Sequence, residues 1–149
     1  MIDVQSGVVK HAYQRDAVMA NIRTLVANAR RDLIPVIWVR HSDQQMPKNS
    51  DDWQIVPEPS PAASEQVVDK NYGDAFEDTN LKSLLSAAGV GKLFVAGAQT
   101  DACIRSTVHG AFVREYDVTL VSDAHTTGWF RQLDLAPFDG LIWPHLEGV

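Results

Sequence analysis

The single cysteine of the chain, Cys103, ends the run Gly97-Ala98-Gln99-Thr100-Asp101-Ala102-Cys103, where an apolar stretch gives way to small residues and then to helical spacing. A thiol in the first turn of a helix faces unpaired backbone N–H groups and the positive end of the helix dipole, both of which favour thiolate. Such a thiol suits nucleophilic attack, and the same N–H groups suit a developing oxyanion, at roughly 3–4 kcal/mol per donor in acyl transfer. The alternative is an inert buried thiol, since free cysteine is among the most buried residue types. Asp3 and Lys70 are the other two candidates. An aspartate beside the sulfur would accept its proton, and a lysine would hold both anions in place and favour their charged forms. Half of a structural ion pair is the commoner role for either residue alone, and convergence with Cys103 is what favours chemistry.

Elements that would bring these three together alternate along the chain. Ile2-Asp3-Val4 reads as the end of a strand, and Asp16 to Leu33 repeats Val18, Ile22, Leu25, Val26, Ala29 and Leu33 at helical spacing. Ile34 to Val39 is a continuous apolar run, as expected of a strand covered on both faces. A short strand over Glu65 to Asp69 precedes a helix over Thr79 to Ala88, which Gly89 stops. Leu93 to Ala96 is a buried strand, Asp101 to Glu115 a helix with Ile104, Val108, Ala111 and Phe112 on one face, and Val118 to Val121 a further strand. This order predicts an α/β fold, a three-layer α/β/α Rossmann-like parallel sheet. Ligands of such sheets sit beyond the carboxyl ends of the strands, and Asp3, Lys70 and Cys103 all fall at or just past such ends.

Residues 43–64 hold four of the seven prolines and predict a long irregular loop, of a kind more often functional or interface-forming than idle. Trp53 on that loop suits a lid or a subunit contact. A length of 149 residues, 45% of them hydrophobic, suits one domain over 1–149. A net charge of −6 argues against nucleic acid or an anionic membrane surface and leaves a small molecule as the expected partner. One cysteine makes no internal disulfide, no basic segment with a following apolar run opens the chain, and a reducing cytoplasm is the expected compartment.

Ile2-Asp3-Val4-Gln5, Val68-Asp69-Lys70 with Phe76 beyond it, Gly97-x-x-Thr100-x-x-Cys103 and Asp123-Ala124, in this order, resemble the signature of the isochorismatase-like cysteine hydrolases. That family includes nicotinamidases and N-carbamoylsarcosine amidohydrolases, and the resemblance runs from about residue 1 to about residue 127. It implies a triad of Asp3, Lys70 and Cys103, a cis peptide between Ala98 and Gln99, and an oxyanion hole made by the Gln99 and Cys103 N–H groups. The implied reaction is attack of Cys103 on a carboxamide or related carbonyl, loss of the amine, and hydrolysis of the thioester by water that Asp3 activates. True isochorismatases cleave a vinyl ether and need no cysteine, so Cys103 favours amide or ureido C–N cleavage. Nicotinamidases bind a metal through Asp-x-His and further histidines. This chain has His41-Ser42-Asp43 and no later histidine before His109, so no metal or other cofactor is expected and His41 reads as a pocket-edge residue.

Gln5, Trp38, Tyr72 and Phe76 flank the triad positions and are the candidate substrate-binding walls. Relatives begin several residues earlier and continue through another helix and an edge strand, whereas Gly128 to Val149 matches no family pattern. A homo-oligomer that covers the open sheet edge is therefore expected. An inactive or incomplete relative that serves as a binding or assembly module is the second reading. A dinucleotide-binding domain is disfavoured, because no Gly-x-Gly-x-x-Gly follows the first strand.

Overall fold

The computed structural model describes residues 1–128. Its elements are α1 (Ser6–Val9), α2 (Arg15–Arg31), β1 (Ile37–His41), β2 (Gln66–Lys70), α3 (Leu81–Ala87), β3 (Lys92–Ala98), a π-helical turn (Thr100–Ile104), α4 (Arg105–Phe112) and β4 (Asp117–Thr126). Trp129, Phe130, Phe138, Leu141, Ile142 and Trp143 lie outside the described residues.

Apolar spacing places α2 as expected, with Val18, Met19, Ile22 and Val26 buried. Leu33, expected on that stripe, is instead 89% exposed. It takes a left-handed φ of 56° while its N–H donates to Arg30 O and that of Ile34 to Ala29 O, the 5→2 and 6→1 bonds that close a helix. Gly89 ends α3 by the same device at φ 65°, with Gly89 N–H on Ser86 O and Val90 N–H on Leu85 O. In α4, Val108 and Ala111 are buried, but Phe112 is 67% exposed and does not share their face.

β1 and β2 pair in parallel, Val39 opposite Val68, and β3 and β4 pair in parallel, Leu93 opposite Val118. Ile2 joins the two pairs: it bridges Val39 on one side and Gly97 on the other, both in parallel, which sets the order β2–β1–Ile2–β3–β4. Its N–H donates to Ala96 O at 2.8 Å, and its carbonyl accepts from Ala98 N–H at 2.9 Å. Gly97 permits this approach, because a Cβ there would lie 1.9 Å from Ile2 O and its φ is 125°.

Alternation along the strands serves two cores, as in a sheet buried on both faces. Val39 and Val95 pack with Leu81, Leu85 and Val108 of α3 and α4, while Trp38 and Ala96 pack with Val18, Ile22 and Val26 of α2. The three layers are thus α2, sheet, and α3 with α4. Towards the amino ends of β1 and β3, beyond Ile2, the layers enclose an apolar cleft of about 320 Å³ lined by Val36, Ile37, Phe94, Leu25, Ala29 and Leu85 among others.

Residues 43–64 contain no helix or strand. Gln5 bridges Ile55, Ser6 N–H donates to Gln54 O, and Val56 N–H donates to Val4 O, so the loop is tied to the chain's first segment. Trp53 is 6% exposed, with the Arg40 guanidinium 3.8 Å over its ring. It is therefore packed inward and is not an exposed lid. Among the described residues, no helix is long and apolar enough to cross a membrane.

Candidate active site

Three elements end at one point. Asp3 follows the bridging Ile2 and takes a left-handed φ of 48°, a region that aspartate tolerates better than most residues. Lys70 is the last residue of β2. Cys103 lies in the turn after β3, where Ile104 N–H reaches back five residues to Gln99 O, which makes the turn π-helical and not the expected start of an α-helix. The Ala98–Gln99 peptide is cis.

Lys70 Nζ stands 2.9 Å from Asp3 Oδ2 and 3.2 Å from Cys103 Sγ, with Tyr72 O at 3.0 Å and His41 Nδ1 at 3.3 Å. An ammonium has three protons, and Asp3 Oδ2, Cys103 Sγ and Tyr72 O can accept all of them. The Lys70 and Asp3 side chains are 0% and 2% exposed. Asp3 Oδ1, by contrast, is buried with no hydrogen-bonding partner among the described residues.

Burial raises the Asp3 pKa above the usual carboxylate range, opposed first by Lys70 and then by the Cys103 thiol and His41. Burial, followed by the Asp3 charge, pushes the Cys103 thiol up to about 11 against the pull of Lys70. Desolvation and the adjacent carboxylate thus oppose the thiolate that the position after β3 favours, while Lys70 supports it.

Asp3 and Cys103 line a cavity of about 370 Å³ together with Gln99, His41, Asp43 and Asp52, and Lys70 lies behind them. His41 is at the pocket edge, its Nε2 3.4 Å from Asp43 Oδ2. Asp43 Oδ1 accepts from Gln45 N–H at 2.8 Å and from Met46 N–H at 2.7 Å. The Met46 N–H bond is the largest influence holding its pKa below the usual range, against a desolvation penalty, with Gln45 N–H and His41 adding to it. His41 and Asp43 are held by their neighbours. Lys70 faces the second imidazole nitrogen, two amides hold the carboxylate, and no group of three His, Cys, Asp or Glu is placed for a metal among the described residues.

The candidate walls lie elsewhere. Gln5 is fully buried as a clamp, donating from Nε2 to His41 O at 2.9 Å and to Trp53 O at 2.7 Å, and accepting from His41 N–H at Oε1. Trp38 is core beneath α2, its indole N–H donating to Glu65 Oε2 at 2.7 Å. Phe76 is core on the opposite face, stacked on Tyr116 at 5.7 Å. Tyr72 is 54% exposed, and only its carbonyl reaches Lys70. Sequence reasoning missed Asp43 and Asp52 as pocket walls. The available signal was that a loop leaving the carboxyl end of β1 must lie over the same rim.

A family model described as the isochorismatase domain matches residues 1–131. A streptothricin hydrolase of Streptomyces noursei is similar at 31% identity over 133 residues, 85% of this chain and 53% of that protein. An Arabidopsis thaliana protein named "Probable inactive nicotinamidase" is similar at 32% identity over 143 residues, 81% of this chain and 73% of that one. The solved structure of an isochorismatase family protein from Burkholderia thailandensis is similar with a TM-score of 0.83 and 26% identity, covering 97% of this chain and 85% of that chain. The chain spans about half the length of the streptothricin hydrolases that it matches. With the family model running from Met1 past the cysteine-bearing turn, over a parallel sheet that gathers aspartate, lysine and cysteine at its carboxyl rim, the chain belongs to the isochorismatase family.

Proposed function

We propose that the chain is a cysteine hydrolase that cleaves a small amide, ureido or related C–N bond through a thioester on Cys103. The observation that carries this reading is the position of Lys70 Nζ, within 3.2 Å of both Asp3 Oδ2 and Cys103 Sγ. A cavity of about 370 Å³ suits a small molecule.

In the proposed reaction Asp3 takes the thiol proton as Sγ bonds to the carbonyl carbon, and the oxyanion accepts from the Gln99 and Cys103 N–H groups. The C–N bond then breaks, and Asp3 returns the proton to the departing nitrogen. Water enters, Asp3 takes its proton, the new hydroxyl bonds to the acyl carbon, and the C–S bond breaks with the proton going back to sulfur. A thiol near pKa 11 makes Asp3 a participant in the attack itself, and the raised carboxyl pKa makes it a stronger base for that transfer. Lys70 pairs with the carboxylate and donates to sulfur as negative charge grows there.

The second reading, a binding module without turnover, draws on the similar plant protein that is named inactive. One experiment separates the two: ammonia or amine release across carboxamides and ureides, wild type against Cys103→Ala. Hydrolysis that disappears with the thiol, together with an acyl-enzyme seen by mass spectrometry, supports the enzyme. Equal rates with both proteins overturn it.

A further inference from the structure

We infer that the mouth of this site excludes carboxylate-bearing substrates and takes amides or ureides whose remaining part is neutral or cationic. This rests on the hydrolase reading above and names the substrate class within it. The described residues that line the cavity include three aspartates, Asp3, Asp43 and Asp52, and no arginine or lysine. Lys70 lies behind the wall, 0% exposed, and Asp3 Oδ2, Tyr72 O and Cys103 Sγ can accept its three protons, so none is free for a substrate carboxylate. Both nitrogens of His41 are engaged, Nδ1 with Lys70 and Nε2 with Asp43. Two nearby cations are paired with a carboxylate outside the cavity lining. Arg40 pairs with Asp69 at 2.8 Å and stacks on Trp53, and Lys48 is 3.6 Å from Asp69.

The negative side of the mouth is fixed. Two backbone N–H groups hold Asp43 in place at one oxygen, with its side chain 48% exposed. Asp52 is exposed and makes no salt bridge among the described residues. At the floor, Asp3 is buried, lines the cavity and leaves Oδ1 without a hydrogen-bonding partner among the described residues. That oxygen fits an N–H donor, such as the amide or the departing amine, and a carboxylate brought there would set two anions together with little water between them. Donor-bearing, uncharged or positive substrates satisfy the site.

Charge-matched alkylation tests this on the full chain whether or not turnover occurs. Cys103 is treated with iodoacetamide, iodoacetate and 2-bromoethylamine, and each rate is divided by that of N-acetylcysteine with the same reagent. The expected normalised rate is at least about tenfold lower for iodoacetate than for iodoacetamide, and no lower for 2-bromoethylamine, as like charges in such a mouth require. Joint Asp43→Asn and Asp52→Asn substitution should raise the iodoacetate-to-iodoacetamide ratio by at least about threefold, and 0.5 M salt should narrow it in the wild type. Equal normalised rates for the anionic and neutral reagents, or a ratio unmoved by the double substitution, would overturn the inference. The matched amides succinamate, butyramide and β-alaninamide then read turnover. Slow succinamate with the other two hydrolysed is expected, succinamate as the preferred substrate refutes the charge rule, and no hydrolysis of any amide counts against the hydrolase reading while the alkylation ratios still decide the charge rule.

Discussion

The same strands wall two cavities of similar size and opposite character. At the carboxyl ends of β1 and β3, about 370 Å³ is lined by Asp3, His41, Asp43, Asp52 and Cys103, whereas at their amino ends about 320 Å³ is lined mainly by aliphatic and aromatic side chains. Volume does not separate them; the direction of side chains and the completeness of hydrogen bonding do. Around Asp3 the polar groups depend on one another, because Lys70 satisfies the carboxylate, the thiol and a carbonyl together. The apolar cleft gains from burial alone, which is non-directional and nearly additive. Substitutions should therefore be severe and coupled at the carboxyl end, and mild and independent at the amino end.

The largest expected effect is on turnover. Cys103→Ala should lower kcat by at least about 1,000-fold, as nucleophile removal does elsewhere, with little loss of stability. Lys70→Ala should lower turnover comparably and also destabilise the fold by about 3–5 kcal/mol, because it leaves the Asp3 carboxylate buried and unpaired. Urea unfolding of Lys70→Met, Asp3→Asn and the double variant checks the coupling. The double variant should cost less than the sum of the singles, and a strictly additive result would break the contrast between the two ends.

Next in size is a pair of effects with opposite signs in Asp3→Asn. The Asp3 charge helps hold the Cys103 thiol near 11, so removing it lowers the thiol pKa and speeds iodoacetamide alkylation at pH 9. Turnover should nevertheless fall by about 100- to 10,000-fold, since the base is gone. If alkylation and turnover fell together, Asp3 would be activating the resting thiol and not acting during attack.

Titration gives the third effect. In the folded state Asp3 and Cys103 both bind their protons more tightly than in the unfolded chain. Stability must therefore fall as pH rises, from the ordinary value of 3.8 up through the raised Asp3 value, and again between 9 and about 11 for Cys103. The alkaline loss is of order 2–3 kcal/mol, and Cys103→Ala should flatten it in urea unfolding measured at pH 9 and 10.5. For turnover, the acid limb of kcat/KM should sit above the usual carboxylate range, because the base must be ionised.

Much of this was legible in the chain, and the reason is physical. Apolar runs and helical spacing report burial directly, so β1, β3 and α2 fall near their expected places. Asp3, Lys70 and Cys103 follow from strand ends, which parallel topology gathers at one rim. The walls were not legible, because proximity in sequence says nothing about which face a side chain takes. Trp38 and Val39 are adjacent yet serve opposite cores, and Phe76 is drawn under α3 by its apolar ring. Asp43 and Asp52 face the cavity because a fully buried Gln5 clamps the loop that carries Asp52 to the end of β1, a contact across 48 residues that no local pattern encodes. The surroundings of the thiol were hidden for a similar reason. A helix-start argument is local, whereas desolvation and the Asp3 charge come from the tertiary fold.

The smallest effect belongs to the apolar end. Ala29 on α2 lines the cleft, so Ala29→Leu adds apolar volume where there is room for it. The expected gain is about 0.5–1 kcal/mol in urea unfolding, within the range of cavity-filling substitutions. A hydrophobic dye bound in the cleft should lose affinity in the same variant, while the rate and pH dependence of Cys103 alkylation stay those of the wild type. That independence is the strictest demand of the comparison, because Ile2 is a wall of the cleft and the residue before Asp3. If filling the cleft shifted the reactivity of Cys103, the bridge at Ile2 would be transmitting packing strain along the chain to Asp3, and the two ends of the sheet would have to be treated as one coupled site.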